Sequence, residues 1–235
     1  MTRFFTGTSG FDYDPWVGAF YPRDLKKKER LRYYASRLSS IEINASFYRK
    51  PTLEVVQNWA AQAPDGFRFS LKGWQRVTHI QRLRDCGDLV RSFYESRRGL
   101  GDKAGVVLWQ TPPNLKRDGA LFDEFLALLK TAPDIKAAFE FRNDSWLCDE
   151  TYAQLENAGC ALCIADTEEK STPRVRTAPF GYFRLRREDY VPADIERWAK
   201  QIEEMKLEEA FVYFKHEDDA KGPAYAEIFR GVTQG

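Results

Sequence analysis

Three short stretches of this chain place a polar or charged residue on either side of a large apolar one: Glu42-Ile43-Asn44, Glu140-Phe141-Arg142 and Arg184-Leu185-Arg186. Residues of the same kind close other β-rich runs: Lys72, Gln110, Asp166 and Lys215-His216. Arginine carries a planar fork of N–H donors that matches a carboxylate or phosphate through two parallel bonds. Lys72, Arg142, Arg184 and Arg186 outnumber Glu42, Glu140 and Asp166, so a small anionic ligand is the natural partner of such a set. Glu42, Glu140 and Asp166 are the candidate catalytic residues, because carboxylates whose pKa values are split can divide general acid and base work. Asn44 and Gln110 are candidates for orienting a substrate beside them.

These residues can cooperate only if separate parts of the chain bring them together. Runs rich in Val, Ile and aromatic residues at 4–9, 40–45, 67–72, 105–110, 137–142, 161–166, 181–186 and 211–215 predict about eight strands. Amphipathic stretches at 25–37, 53–61, 83–96, 121–129, 151–157, 192–205 and 220–229 predict helices between most of them. Pro51-Thr52 and Pro192 suit helix starts. Between Asp166 and Phe180 the sequence TEEKSTPR predicts an irregular loop in place of a regular helix after strand six. Strict alternation of strand and helix implies parallel strands joined by right-handed crossovers. About eight units predict an α/β fold of one domain over 1–235, a (β/α)₈ TIM-like barrel. An open doubly wound sheet is the alternative, but GTSGFDY after the first strand lacks the Gly-rich dinucleotide fingerprint.

Barrels of this kind carry their sites at the carboxyl ends of the strands, where the polar residues above fall. Side chains alternate across a strand. Ile41 and Ile43, Phe139 and Phe141, and Phe183 and Leu185 can therefore pack under helices, while Glu42 and Asn44, Glu140 and Arg142, and Arg184 and Arg186 point into the barrel. Charges turned inward are expensive unless paired or used. Structural ion pairs would explain any one of them; a whole ring of them favours a site.

Bulk composition agrees with a folded barrel. Hydrophobic residues make up 43% and aromatic residues 14% of 235 residues, enough for a large core. Lys and Arg number 36 against 35 Asp and Glu, a net charge of +1, which argues against coating nucleic acid by bulk charge. MTRFFTGTSG lacks the apolar run of a signal peptide, and no run of about 18 apolar residues occurs, so a cytoplasmic protein without a membrane span is expected. Cys86, Cys148, Cys160 and Cys163 are then expected as reduced thiols. Cys160 and Cys163 fall on opposite strand faces and have no second pair, so buried apolar cysteines are favoured over a metal or redox site.

No cofactor is predicted, and no residue set is assigned to a metal. A divalent ion at Glu42, Glu140, Asp166 and His216 is the minority alternative, because the nearby cations would repel it. His79 is expected in the loop after strand three. Phe11, Tyr13, Trp16, Phe47, Tyr48, Trp74 and Trp146 lie in loops facing the mouth, either as a stacking wall for a sugar or base or as a packed lid. On the first of these readings Tyr13, Trp16, Tyr48 and Trp146 join the substrate-binding set with Asn44, Lys72, Gln110, Arg142, Arg184 and Arg186. Ser9 and Ser46 show no triad order or nucleophile elbow. Arg23-Asp24-Leu25-Lys26-Lys27-Lys28-Glu29-Arg30 reads as a solvated helix face before a nucleic-acid contact.

GTSGFDYDPWVGAFYP, RLRYYASRLSSIEINASFYRKP, FRFSLKGWQRVTH, LWQTPPNLKRD, AAFEFRNDSW, ALCIADTEE, GYFRLR and FVYFKHEDDA resemble, in order and over nearly the whole chain, the YecE-like family of domain of unknown function 72 proteins. The resemblance implies a (β/α)₈ barrel with a site at the carboxyl ends of its strands, and it supplies no reaction. It maps the family's motif residues onto Tyr13, Trp16, Glu42, Asn44, Phe47, Tyr48, Lys72, Gln110, Glu140, Arg142, Trp146, Asp166 and Arg184. Two departures stand out. Arg186 and Arg187 follow where the family usually has His-Gly, and Lys215-His216-Glu217-Asp218 replaces an Asn-rich turn.

Three functions fit these observations. One is an enzyme, of the hydrolase or isomerase kind, acting on a small phosphorylated or carboxylated compound. The second is a nucleic-acid-binding or nucleic-acid-processing protein with a basic mouth and stacking aromatics. The third is a non-catalytic ligand sensor. Nothing in the sequence sets the oligomeric state.

Overall fold

The computed structural model describes residues 1–215 and 219–234. Eight parallel strands close a barrel in the order β1-β2-β3-β4-β5-β6-β7-β8, with β8 pairing back to β1. They are β1 (Arg3–Ser9), β2 (Ser40–Ile43), β3 (Arg68–Lys72), β4 (Ala104–Gln110), β5 (Ala137–Glu140), β6 (Ala161–Asp166), β7 (Phe180–Leu185) and β8 (Glu209–Phe214). Each expected strand is present, with ends moved by at most two residues and β6 unchanged. The strand expected to reach Arg142 ends its ladder at Glu140. Arg186, one residue past β7, still donates its backbone N–H to the Asp166 carbonyl at 2.8 Å.

The helices are α1 (Arg30–Arg37), α2 (Ala45–Tyr48), α3 (Leu53–Gln62), α4 (Gly87–Arg97), α5 (Gly119–Leu129), α6 (Asp149–Asn157), α7 (Pro192–Glu204) and α8 (Lys221–Gln234). The helix expected from residue 25 begins at Arg30, behind a 3₁₀ turn at Lys27–Glu29. Thr52 caps α3 by accepting from the Val55 N–H, and Asp118 caps α5 by accepting from the Leu121 N–H. Pro192 opens α7, where its missing N–H costs nothing.

No helix follows β6. The chain doubles back instead. Ser171 bridges Asp166, Thr172 donates its N–H to the Ala165 carbonyl at 2.8 Å, and Thr167 donates its N–H to the Lys170 carbonyl at 3.0 Å. Lys170 then ties this loop to Asp144.

Two apolar clusters result from strand alternation. Ile41, Ile43, Phe69, Leu71, Trp109, Phe139, Phe141, Phe183, Leu185 and Phe214 face outward and pack under the helices. Phe5, Val106, Leu108, Ala138, Cys163, Phe180, Tyr182, Phe211 and Tyr213 fill the interior. Each fully buried large side chain stabilises the fold by about 1.5–3 kcal/mol. At the closed end Phe5 stacks on Phe211, with ring centroids 4.9 Å apart. Above it the Tyr213 hydroxyl lies 2.6 Å from Ser40 Oγ and donates to Ser70 Oγ at 2.8 Å. The interior is thus apolar below and increasingly polar toward the strand ends.

β1 meets β2 closely at Gly7. A Cβ there would lie 1.8 Å from the Ser40 carbonyl oxygen, so no larger residue fits. Cys86, Cys160 and Cys163 are buried free thiols, and Cys148 is half-buried and free. Cys163 points into the barrel while Cys160 packs in the outer cluster, so their spacing makes no pair.

Candidate functional site

Arg184 stands at the centre of the mouth, on the inward face of β7 two residues past Tyr182. Its side chain is 3% exposed. One guanidinium nitrogen, Nη2, donates to Glu42 Oε1 at 2.8 Å, and the other, Nη1, donates to Glu140 Oε2 at 2.6 Å. The Tyr182 hydroxyl donates to Glu42 Oε2 at 2.7 Å, and Gln110 Nε2 donates to Glu140 Oε2 at 2.8 Å. Arg142 Nη2 lies 2.7 Å from Glu140 Oε1, and Arg186 Nη1 lies 3.8 Å from the same oxygen. Sequence alternation brings these residues together from β2, β4, β5 and β7, as their shared inward faces require.

Burial alone would push both carboxyls up. For Glu42 the Arg184 charge and the hydrogen bond from Tyr182 more than reverse that effect, so its pKa falls below the ordinary value. For Glu140 the charges of Arg184, Arg142 and Arg186, with the Gln110 hydrogen bond, bring the pKa down to about 2. An acid–base pair needs one carboxyl raised toward neutrality. Here both go down, so Glu42 and Glu140 are fixed anions that hold Arg184 in place. Neither has a proton to give at neutral pH.

Lys72 occupies the inward end of β3, half-buried, with Nζ 4.2 Å from the centre of the Phe47 ring. Burial, and then the Arg184 charge, pull its pKa down to about 8. Its backbone is pinned on both sides. The Lys72 carbonyl accepts from Ser46 Oγ at 2.7 Å, and the next N–H, of Gly73, donates to the Leu108 carbonyl at 2.8 Å. His79, in a π-helical turn at Arg76–Ile80, meets the same Phe47 ring edge-on at 4.9 Å and pairs through Nδ1 with Thr78 Oγ1.

Asp166 differs from its expected place. Ala161, Cys163 and Ala165 line the inner side of β6, so Asp166 shares the outer face with Leu162 and Ile164. Its Oδ2 accepts from the Tyr190 hydroxyl at 2.9 Å, Arg187 Nε at 3.0 Å and Trp198 Nε1 at 3.2 Å. Asp166 therefore anchors α7 and the segment before it to β6, on the outer face and apart from the Glu42–Arg184–Glu140 group. Asp166→Ala strands three donors and is expected to lower stability by about 2–3 kcal/mol. Thermal unfolding checks the loss, and any response to added anions should persist.

The aromatic residues also divide. Trp16 is buried among Tyr13, Phe20 and Tyr21. Trp146 is buried, donates Nε1 to the Leu115 carbonyl at 2.8 Å and stacks on Phe141 at 4.8 Å. Both are packing residues with no face open to a ligand, which corrects their place in the substrate-binding set. Tyr13 is half-buried and donates its hydroxyl to the Ser9 carbonyl at 2.8 Å. Tyr48 is 70% exposed on the rim, and Asn44 is half-buried just past β2. His216, Glu217 and Asp218 lie outside the described residues, and with them one member of the alternative metal set. Among the described residues no group of three or more His, Cys, Asp or Glu is placed to hold a metal ion.

A cleft of about 330 Å³ opens over the ends of β5, β6 and β7. Arg142 and Arg186 line it, with side chains 33% and 20% exposed, together with Glu140, Ala165 and the doubled-back loop from Thr167 to Thr172. That loop is a wall that sequence reasoning left out, because its approach to the cleft depends on long-range packing. Tyr182 was also left out, although its position two residues before Arg184 marks it as inward.

Comparison with known proteins places this architecture. A DUF72 family protein of Thermotoga maritima is 23% identical and superposes with a TM-score of 0.85 over 99% of this chain and 100% of its own. A DUF72 family protein of Enterococcus faecalis is 19% identical, with a TM-score of 0.80 over 100% and 99%. The UPF0759 protein YunF of Bacillus subtilis is 26% identical over 159 residues, 64% of this chain and 54% of YunF. The UPF0759 protein YecE of Escherichia coli is 35% identical over 82 residues, 35% of this chain and 30% of YecE. The matched region thus spans about half the length of YunF and less than a third of YecE. The family model described as "Protein of unknown function DUF72" matches residues 5–234. With a match of that extent, on a closed (β/α)₈ barrel, the chain belongs to the DUF72 family.

Proposed function

We infer that this protein binds a small anionic compound, phosphorylated or carboxylated, in the cleft at the barrel mouth, and acts on it there. One observation carries the inference. Four cations, Lys72, Arg142, Arg184 and Arg186, converge on two carboxylates, Glu42 and Glu140. Both carboxylates bond Arg184, Glu140 also meets Arg142 at 2.7 Å, and Arg142 and Arg186 stand at the open cleft, whose lining also carries Glu168, Glu169 and Lys170. The converging group carries four cations against two carboxylates, and a surplus of that sign in a low-dielectric setting favours an anion. The rim carboxylate Glu168 accepts from the Glu188 backbone N–H at 2.7 Å, which occupies one of the acidic groups nearest the opening.

A base-stacking nucleic-acid site would need an open aromatic wall. Burial of Trp16 and Trp146 removes two of its panels, so a small ligand is favoured.

The test is thermal unfolding of the whole chain with inorganic phosphate, sulfate and small carboxylates. A ligand at about a hundred times its Kd adds about 2.7 kcal/mol to stability. Arg142→Met with Arg186→Met removes two charge-assisted contacts, each worth about 1.5–3 kcal/mol. The double variant should therefore bind at least ~100-fold more weakly while keeping its fold. If none of these anions raises the wild-type unfolding temperature, the inference falls.

A further inference from the structure

Lys72 is placed unlike any other cation of the mouth. A lysine drawn half out of solvent usually meets a carboxylate, and the two within electrostatic reach, Glu42 and Glu140, are held by Arg184 instead. Among the described residues no carboxylate comes within ion-pairing distance of Lys72 Nζ, which rests on the face of Phe47 at 4.2 Å. Its other charged neighbours, Arg184 and Arg142, are cations, and His79 lies across the same aromatic ring. The backbone around it is fixed by Ser46 and by the β3–β4 ladder. Such a setting makes an ammonium ion costly and a neutral, nucleophilic amine accessible near neutral pH.

We propose that Lys72 is the covalent binding residue of this site and that its ligand is an anionic carbonyl compound, an aldehyde or ketone carrying a phosphate or carboxylate. The proposal rests on the anion-binding function above and names its substrate class. The neutral Nζ lone pair attacks the carbonyl carbon. A C–N bond forms, the C=O π pair moves to oxygen, and one nitrogen proton transfers to that oxygen. The carbinolamine then loses its hydroxyl together with the second nitrogen hydrogen as water, leaving a C=N bond. No oxidant or reductant is consumed. The anionic end of the ligand sits toward Arg142 and Arg186 of the cleft, and Arg142 is within electrostatic reach of Lys72.

Borohydride trapping tests this directly. The full chain is incubated with glycolaldehyde phosphate, reduced with sodium borohydride and mapped by peptide mass spectrometry. A single reduced adduct is expected on the peptide containing Lys72. It should be protected by inorganic phosphate and at least tenfold weaker in Lys72→Arg. Its rate should rise with a midpoint near pH 8, where the amine loses its proton. Adducts spread evenly over surface lysines of the wild-type protein, or an unchanged yield in Lys72→Arg, would overturn the proposal, and mapping the wild type needs no variant to fold. Stabilisation by phosphate without trapping at Lys72 would remove the lysine assignment alone. Equal trapping of propionaldehyde at Lys72, unprotected by phosphate, would instead remove the anionic substrate class and keep the reactive amine.

Discussion

An Arg184→Met variant is expected to lose about 3–5 kcal/mol of stability, the usual cost of removing one partner from a buried ion pair. The loss comes from what the substitution leaves behind. Glu42 and Glu140 are 0% and 2% exposed, and both lean on the one guanidinium. Without it, two buried carboxylates keep Tyr182, Gln110, Arg142 and Arg186 as bonded or paired partners and Lys72 as a more distant charge. Folded domains are stable by about 5–15 kcal/mol, so the variant should unfold at a much lower urea concentration. Adding Glu42→Gln and Glu140→Gln to it should recover much of the loss, since the buried charge goes with its partner. An unchanged midpoint for Arg184→Met would mean that the triad is not holding the mouth together.

Glu140→Gln is expected to cost a similar amount, and it carries a pH signature. The folded-state pKa of Glu140 is depressed from the ordinary 4.5 to about 2. Its contribution is therefore complete above the unfolded-state pKa and is lost as the pH falls from about 4.5 through 2. That window is worth about 3 kcal/mol in the wild-type protein. The Gln variant should show a lower plateau at pH 7 and a flatter acid limb, read from urea midpoints across pH. Loss of the carboxylate also leaves Arg142 and Arg186 less neutralised, so phosphate should bind more tightly even as the fold weakens. A cellular phenotype of Glu140→Gln would therefore not distinguish an enzyme from a sensor, because stability changes in both.

Much of the fold and the central triad were legible because both depend on periodicity. Glu42, Glu140 and Arg184 lie beside large apolar neighbours that must go under helices, and a period of two sends the charged residues inward. Asp166 shows where that rule was left unapplied. Leu162 and Ile164 mark the outer face of β6, and Asp166 shares their parity, so its outward course was present in the pattern. Trp16 and Trp146 were not legible in the same way. Their loops carry no periodicity, and their burial is decided by Tyr13, Phe20 and Tyr21 in one case and Phe141 and Leu115 in the other. The doubled-back loop that walls the cleft was foreseen as irregular, yet its contact with the mouth depends on residues far away in sequence, such as Asp144.

The stacked Phe5 and Phe211 rings at the closed end, with the tyrosine hydroxyls above them, give the chamber a sealed floor. Arrival and departure must then share one doorway at the strand ends. Any ligand that leaves competes there with the next one entering, and a large appendage on it has to remain outside. Traffic through that opening, more than the depth of the chamber, sets how long and how bulky a guest can be.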